Sequence, residues 1–166
     1  MTKTMLAALA MCSALAAAPA LGAQEQIGIP LGAAAPGAEV QTLDGRTVDL
    51  SQYIGKQPVM LEFWATWCEN CKQLEPQLLS LVKRYGSRIA FIDVAVSVNQ
   101  SPARVRLYAE KYHYQHHVFY DTDGKAVTAY DVPATSYVVV IDRAGKVVYT
   151  GLGGDQDLAK AVAKVL

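Results

Sequence analysis

The chain has 166 residues, of which 52% are apolar, and its 15 basic side chains are matched by 15 acidic ones. This length is sufficient for one domain with its own apolar core, without disulfides to stabilise it. The formal net charge of zero is against a nucleic-acid-binding protein, because such proteins carry a basic patch or stripe.

Residues 1–23 have the composition of a secretory signal peptide. One basic residue, Lys3, precedes an apolar run over residues 5–18, and small residues that suit a cleavage site end at Ala20 or Ala23. Retention of this segment as a membrane anchor is the alternative, and no later stretch approaches the length of a membrane span. We therefore expect a periplasmic or secreted protein that associates with a membrane only if the segment is retained.

The three cysteines divide between the predicted signal peptide and the remaining chain. Cys12 lies in the signal peptide, and its acylation in a lipoprotein would need a small residue where Met11 stands. The mature chain therefore keeps Cys68 and Cys71, in a setting that permits disulfides. A disulfide that closes so short a loop stabilises a fold little. This pair is better suited to being oxidised and reduced.

Apolar and turn residues predict an alternation of strands and helices after a linker or N-terminal arm at residues 24–37. The predicted elements, in chain order, are a hairpin of strands 38–43 and 46–50, a helical turn 51–53, a buried strand 59–64, a helix 68–85, a buried strand 89–96, a helix 101–112, a strand near 118–119, a helix ending at 130, a hairpin of strands 136–141 and 146–150, and a helix 155–165 capped by Asp155. This order predicts an α/β domain over residues 38–166, with a mixed central sheet flanked by helices and an N-terminal β-hairpin extension.

The segment Trp67-Cys68-Glu69-Asn70-Cys71 lies where a predicted buried strand leads into a helix. A cysteine at a helix N-terminus has its thiolate stabilised by unpaired N–H groups and by the helix dipole. Cys71 comes one turn later on the same face, within reach of a disulfide. We expect Cys68 to be the exposed nucleophile and Cys71 to be covered and to act as the resolving thiol.

Two segments carry a family resemblance: residues 61–72, which contain the cysteine pair, and residues 131–142, which begin Asp-Val-Pro-Ala-Thr. Together they resemble thioredoxin-fold thiol-disulfide oxidoreductases, most of all the exported TlpA/ResA-like branch. The resemblance covers residues 38–166 and implies a thioredoxin fold and protein-disulfide reductase activity without a cofactor or metal. It also implies a cis Pro133 that faces Cys68, and a Val132 backbone that binds the substrate chain. We expect Trp67 to shield Cys68.

Glu62 lies six residues before Cys68, where thioredoxins place a buried acid beneath the resolving cysteine. Burial should raise its pKa toward the range that is useful for proton transfer, unless Glu62 points to solvent at a sheet edge. ResA-like members often carry a glutamate three residues after the second cysteine, where this chain has Leu74. We expect the next residue, Glu75, to lie on a different side of the helix, which leaves Glu62 as the only acid at the site.

The histidines His113, His116 and His117 cluster at a predicted helix–strand junction. With the two cysteines they could form a zinc or copper site, which would make the protein a non-catalytic metal-binding chaperone. The favoured interpretation is a polar junction at the sheet edge, because the cysteine spacing is already explained by redox chemistry.

The resulting prediction is an enzyme that reduces disulfides in protein substrates and receives electrons from an unidentified thiol donor. The resemblance suggests apocytochrome c or oxidase-assembly factors as substrates. Glu69 places a negative charge beside the Cys68 thiolate with no basic residue between the cysteines. We therefore expect a reduction potential nearer that of thioredoxin, about −270 mV, than that of the oxidant DsbA, about −120 mV.

Overall fold

The computed structural model describes residues 27–166, so the predicted signal peptide at residues 1–23 lies outside the described part of the chain. The elements are β1 Glu39–Thr42, β2 Thr47–Asp49, β3 Val59–Trp64, α1 Glu69–Tyr85, β4 Ala90–Val96, α2 Pro102–Lys111, β5 His117–Asp121, α3 Lys125–Ala129, β6 Tyr137–Ile141, β7 Val147–Leu152 and α4 Leu158–Val162, with 3₁₀ turns at Leu50–Gln52 and Ala163–Val165. No helix within these residues has both the length and the apolar character needed to cross a membrane.

Seven strands form one mixed sheet in the order β2-β1-β5-β4-β3-β6-β7. The central strands β3, β4 and β5 are parallel neighbours, whereas β6, β7 and the β1–β2 hairpin pair in antiparallel fashion. Every residue of β3 and β4 is buried, and this explains their continuous apolar runs, because a strand covered on both faces need not alternate. The predicted fold class, including the N-terminal hairpin, is confirmed.

The two faces of β3 pack against different helices, because successive side chains of a strand point in opposite directions. Val59, Leu61 and Phe63 lie on one face, in the core cluster that includes residues of α3. Met60 lies on the other face and packs with residues of α1 and α4. Glu62 follows two residues after Met60 and therefore lies on the α1 face of a central strand, not at a sheet edge.

Residues 27–37 pack against the domain. Ile29 is buried in the core, and Ala34 forms an isolated β-bridge with Lys146, the residue directly before β7. Gly28 has a positive φ of 72°, and a Cβ at this position would lie 2.1 Å from the hydroxyl oxygen of Tyr137. A glycine is therefore required here both by the backbone conformation and by the close approach of Tyr137.

The last helix begins later than predicted and is shorter. Asp157, not Asp155, is its N-cap, with a carboxylate oxygen that accepts a hydrogen bond from the backbone N–H of Lys160 at 2.9 Å. Before this cap, the Gln156 side chain donates to the backbone oxygen of Ser136 at 2.9 Å and holds the turn against the start of β6, outside the helix. The prediction of Asp155 as the cap was wrong for this reason.

Candidate active site

The cysteine pair lies at the N-terminus of α1, directly after the end of the central strand β3. Cys68 is the N-cap residue of α1, in extended conformation, and its Sγ accepts a hydrogen bond from the backbone N–H of Cys71 at 3.1 Å. The two cysteines form a disulfide with their Cα atoms 5.3 Å apart. The predicted spacing of one helical turn thus brings the two sulfur atoms together.

Exposure does not distinguish the two cysteines in the disulfide form. Each is 5% exposed, so the expectation of an exposed Cys68 over a covered Cys71 was wrong for this form. Both pack in an apolar cluster with Trp64 and Val96 at the carboxyl ends of the central strands. What does distinguish them is a small cavity of about 10 Å³, lined by Cys71 and not by Cys68.

Three carboxyl groups that are separated in the sequence line this cavity. Its lining residues are Glu62, Trp64, Cys71, Glu75, Leu78, Asp93, Tyr108 and Tyr114. Glu62 is 3% exposed and is paired in register with Asp93 on the neighbouring parallel strand β4. We call Glu62, Glu75 and Asp93 the buried acid cluster.

Glu75 corrects the expectation that Glu62 is the only acid at the site. It lies four residues after Cys71, and residues four apart share one face of a helix. The predicted separation onto a different side of α1 was therefore wrong. Its carboxylate accepts a hydrogen bond from the Tyr108 hydroxyl at 2.8 Å, which connects the acid cluster to α2.

The environment of Glu62 favours its protonated form. Burial raises the pKa of Glu62 well above its ordinary value, and the negative charges of Asp93 and Glu75 raise it further. Its Oε1 atom has no hydrogen-bond partner within residues 27–166. The expectation of a raised pKa rested on burial alone, whereas the structure adds two neighbouring carboxylates.

Asp93 has a buried partner of opposite charge. The Nε2 atom of His116 lies 2.8 Å from Oδ2 of Asp93, and each of the two side chains is 2% exposed. Burial lowers the pKa of His116, but the charge and hydrogen bond of Asp93 and the charge of Glu75 outweigh it, so the net pKa is raised. The predicted polar junction at the sheet edge includes His116 but no contact with Asp93.

A glutamine that the sequence analysis missed holds the segment before Cys68. The side-chain oxygen of Gln100 accepts from the backbone N–H of Thr66 at 2.9 Å, and its amide group donates to the backbone oxygen of Val96 at 2.6 Å. Trp67 is 38% exposed, and its indole N–H donates to the backbone oxygen of Val98 at 2.8 Å. The loop after β4 therefore positions the loop that leads into Cys68.

The charge of Glu69 is balanced, contrary to expectation. Lys72 lies three residues later on the first turns of α1, and its Nζ atom is 2.6 Å from the Glu69 carboxylate. Residues three apart are neighbours on a helix surface, so a basic residue after the second cysteine can compensate an acid between the two. Both groups are exposed, so the pair contributes little to stability.

The loop before β6 differs from the family expectation. Residues 27–166 contain no cis peptide bond, so the predicted cis Pro133 is not found. The chain is turned instead by Asp131 and Ser136, which both have a positive φ, and trans is the lower-energy isomer of an X-Pro bond. The backbone N–H of Val132 donates to the backbone oxygen of Val127 at 3.0 Å, and only its carbonyl is left for a bound chain.

The three histidines have separate surroundings. His113 is exposed, His116 is paired with Asp93, and the ring of His117 stacks on Phe119 with centroids 6.0 Å apart. Within the described residues, no group of three or more His, Cys, Asp or Glu side chains has an arrangement that could hold a metal ion.

Comparison with known proteins decides the family. A family model described as Redoxin matches residues 30–166, which is most of the chain. The chain belongs to the Redoxin family. Among curated proteins, this Redoxin chain is 36% identical over 117 residues to the thiol-disulfide oxidoreductase ResA of Bacillus subtilis, covering 70% of this chain and 64% of ResA. It therefore spans slightly less than two thirds of the length of that relative.

Further relatives of this Redoxin chain are named as thioredoxin-like or thiol:disulfide interchange proteins. The thioredoxin-like protein YneN of Bacillus subtilis is 32% identical over 123 residues, covering 74% of this chain and 71% of YneN. The exposed lipoprotein thioredoxin Etrx1 of Streptococcus pneumoniae is 28% identical, with a TM-score of 0.65 and coverage of 78% of this chain and all of Etrx1. A putative thiol:disulfide interchange protein DsbE from Chlorobium tepidum, 24% identical, superposes with a TM-score of 0.71 over 82% of this chain and 94% of its own. The predicted thioredoxin fold and the predicted relationship to a family of thiol-disulfide oxidoreductases are confirmed.

Proposed function

We propose that this Redoxin protein reduces disulfide bonds in exported proteins by thiol–disulfide exchange. Cys68 is the nucleophile, Cys71 is the resolving thiol, and Glu62 carries the proton that Cys71 loses and regains. The observation that carries this proposal is the asymmetry of the disulfide: Cys68 caps the helix, and only Cys71 lines the cavity with the buried acid cluster. No cofactor is needed, because the electrons travel in the thiols.

The first step uses the helix terminus. The Cys68 thiolate is stabilised by the backbone N–H of Cys71 and by the N-terminal end of α1. Its Sγ attacks one sulfur of the substrate disulfide, the substrate S–S bond breaks, and the second substrate sulfur leaves with the electron pair as a thiolate. A mixed disulfide between Cys68 and the substrate results.

The second step uses the cavity. The Sγ of Cys71 attacks the Sγ of Cys68, the mixed disulfide breaks, and the substrate leaves with both of its sulfurs reduced. The proton of the Cys71 thiol passes to the carboxylate of Glu62, which faces the same cavity. The enzyme is then in the disulfide form, and an external thiol donor returns two electrons by the same steps in reverse.

The substrate-binding surface is proposed to combine Trp67 with Val132 and Pro133. The pairing of Phe63 with Tyr137 brings the start of β6 beside the carboxyl end of β3, so the loop that contains Val132 and Pro133 lies at the cysteine end of the sheet. Trp67 offers an exposed apolar ring that its hydrogen bond to the loop after β4 holds in place. These residues would bind an extended substrate chain beside Cys68.

The proposed location is the periplasm or the exterior. It depends on residues 1–23 acting as a signal peptide, with residues 24–37 as an arm before a domain at 38–166. The name of the Streptococcus pneumoniae relative describes that protein as an exposed lipoprotein, which is consistent with exported chemistry. Protein substrates with disulfides, including apocytochrome c or oxidase-assembly factors, and a thiol electron donor are the proposed partners.

Trapping of intermediates tests the assignment of the two cysteines. Cys71→Ala leaves the mixed disulfide unresolved, so this variant should accumulate covalent complexes with client proteins in the exporting cell, and Cys68→Ala should not. The double variant is the control for complexes that do not depend on either thiol. Equal trapping by both single variants would contradict the assignment, and stoichiometric Cu(I) binding without turnover of any disulfide would favour a metal chaperone instead.

A further inference from the structure

Two buried carboxyl groups lie side by side beneath the cysteine pair. Glu62 on β3 and Asp93 on β4 are paired in register, and their residues are 3% and 2% exposed. Neighbouring strands are about 4.8 Å apart, and paired residues of parallel strands point to the same face. Two carboxyl groups this close and this buried do not readily ionise together. Either one of them stays protonated, or one of them is paired with a positively charged group.

The cation is His116, which precedes β5 on the far side of β4. Its Nε2 atom contacts Oδ2 of Asp93 at 2.8 Å, and the side chains of both residues are almost completely buried. The ring nitrogen of His116 is hydrogen-bonded to Asp93 on β4, and β4 separates β5 from β3, the strand that carries Glu62. Of the two acids, Asp93 is therefore the one whose negative charge a protonated His116 ring can match.

We propose that the Asp93–His116 ion pair controls the proton on Glu62 and so sets the pH range in which Glu62 can accept the proton of Cys71. This inference rests on the proposed function. Asp93 and His116 act through Glu62 and are positioning residues, not catalytic ones. Their ion pair favours the ionised form of Asp93. In the disulfide form, the negative charge on Asp93 then keeps the proton on Glu62, the acid that faces Cys71.

The other groups around Glu62 do not reverse this arrangement. The titratable groups that line the same cavity are Cys71 and Glu75 from α1, Tyr108 from α2 and Tyr114 from the segment after it, while β6 contributes the apolar Val138 opposite Glu62. Burial raises the pKa of both tyrosines, so they stay protonated in the neutral range. The charge of Glu75 acts on Glu62 in the same direction as that of Asp93.

In the proposed cycle, one proton is transferred from Glu62 to Cys71 and back. When a donor thiolate attacks Sγ of Cys68, the disulfide breaks, the electron pair goes to Sγ of Cys71, and Glu62 gives that sulfur its proton. When Cys71 later resolves a mixed disulfide, the proton returns to the Glu62 carboxylate. The rate of resolution therefore falls on the acid side of its pH profile, where Glu62 of the mixed-disulfide form becomes protonated.

Two conservative variants of the full chain should move this acid limb in opposite directions. Asp93→Asn removes the charge that raises the proton affinity of Glu62, so the limb moves to lower pH. His116→Gln keeps an N–H donor for Asp93 but removes the positive charge, so the limb moves to higher pH. On the acid side, the two variants should differ at least about tenfold in rate at one pH, which corresponds to a separation of one pH unit.

The reduced protein is mixed with excess oxidised glutathione at a series of pH values, and the release of the second glutathione reports resolution. His113→Gln, the same substitution at an exposed histidine, is the control and should leave the profile in place. If Asp93→Asn and His116→Gln displaced the acid limb in the same direction, or if neither displaced it, the inference would be overturned. If the unmodified protein releases no second glutathione, the proposed function itself fails.

A second measurement needs no variant and does not depend on activity. The imidazole resonances of His116 in the disulfide form, followed by NMR during a pH titration, should show that its pKa is raised above the ordinary histidine value of 6.5. A His116 ring that loses its proton at or below pH 6.5 would overturn the inference, even if the variants at Asp93 and His116 did not fold.

Discussion

Replacing Glu62 with leucine should stabilise the fold while it slows the resolution of mixed disulfides. Glu62 is 3% exposed, and its Oε1 has no hydrogen-bond partner within the described residues. A buried polar group without a partner costs about 1–3 kcal/mol. Leucine is apolar and of comparable volume, and it would pack with Met60 on the same face of β3. We expect the free energy of unfolding to rise by about 1–3 kcal/mol at neutral pH.

The stability that Glu62→Leu gains should increase as the pH rises. The pKa of Glu62 is raised in the folded state by burial and by Asp93 and Glu75, so the folded protein binds this proton more tightly than the unfolded chain does. The wild type therefore loses stability as pH rises from the ordinary glutamate value of 4.5 through the raised value. Glu62→Leu removes that loss, so its advantage should be smallest below pH 4.5 and should grow with pH.

Denaturant unfolding of the disulfide form at several pH values measures this difference, with Glu110→Leu as the matched control at an exposed position on α2. The control variant should change stability little at any pH. A Glu62→Leu variant that is less stable than the wild type at every pH, or whose advantage does not change with pH, would refute the reasoning. So would normal resolution of mixed disulfides by this variant across neutral pH.

Two further substitutions test how the site and the N-terminal segment are held. Gln100→Ala removes the side chain that binds the N–H of Thr66, so unfolding assays should show a loss of about 1–3 kcal/mol, and disulfide exchange should slow; an unchanged exchange rate would contradict the positioning role. Gly28→Ala should destabilise the protein by about 1–3 kcal/mol more than Gly32→Ala, because both have a positive φ but only the first would clash with Tyr137; equal losses would show that the contact is unimportant.

The sequence predicted most of the framework because its signals are local. The apolar run of β3, the hairpin of strands 38–43 and 46–50 and the helix 101–112 are each predicted from neighbouring residues only, and all three elements are found. The start of α1 at Cys68 is local in the same sense. The misplaced cap at Asp155 has a tertiary cause, since the Gln156 side chain binds Ser136, which is 20 residues earlier.

The candidate site was predicted only in part because most of it depends on register. Asp93 stands inside an apolar run, and a single sequence does not reveal that β4 pairs with β3 so that Asp93 lies beside Glu62. The contact with His116 needs the further pairing of β4 with β5. Glu75 is a different case, since its position one turn after Cys71 could have been derived from helix geometry alone.

The reduction potential of the Cys68–Cys71 pair tests most directly whether this protein is a reductant. A strong oxidant needs a stabilised thiolate in its reduced form. Here the buried acid cluster beneath Cys71 disfavours further negative charge, and the ammonium of Lys72 is bound to Glu69. Equilibration with glutathione at known ratios should give a potential nearer about −270 mV than about −120 mV. A value above about −180 mV would contradict the proposed reductase function.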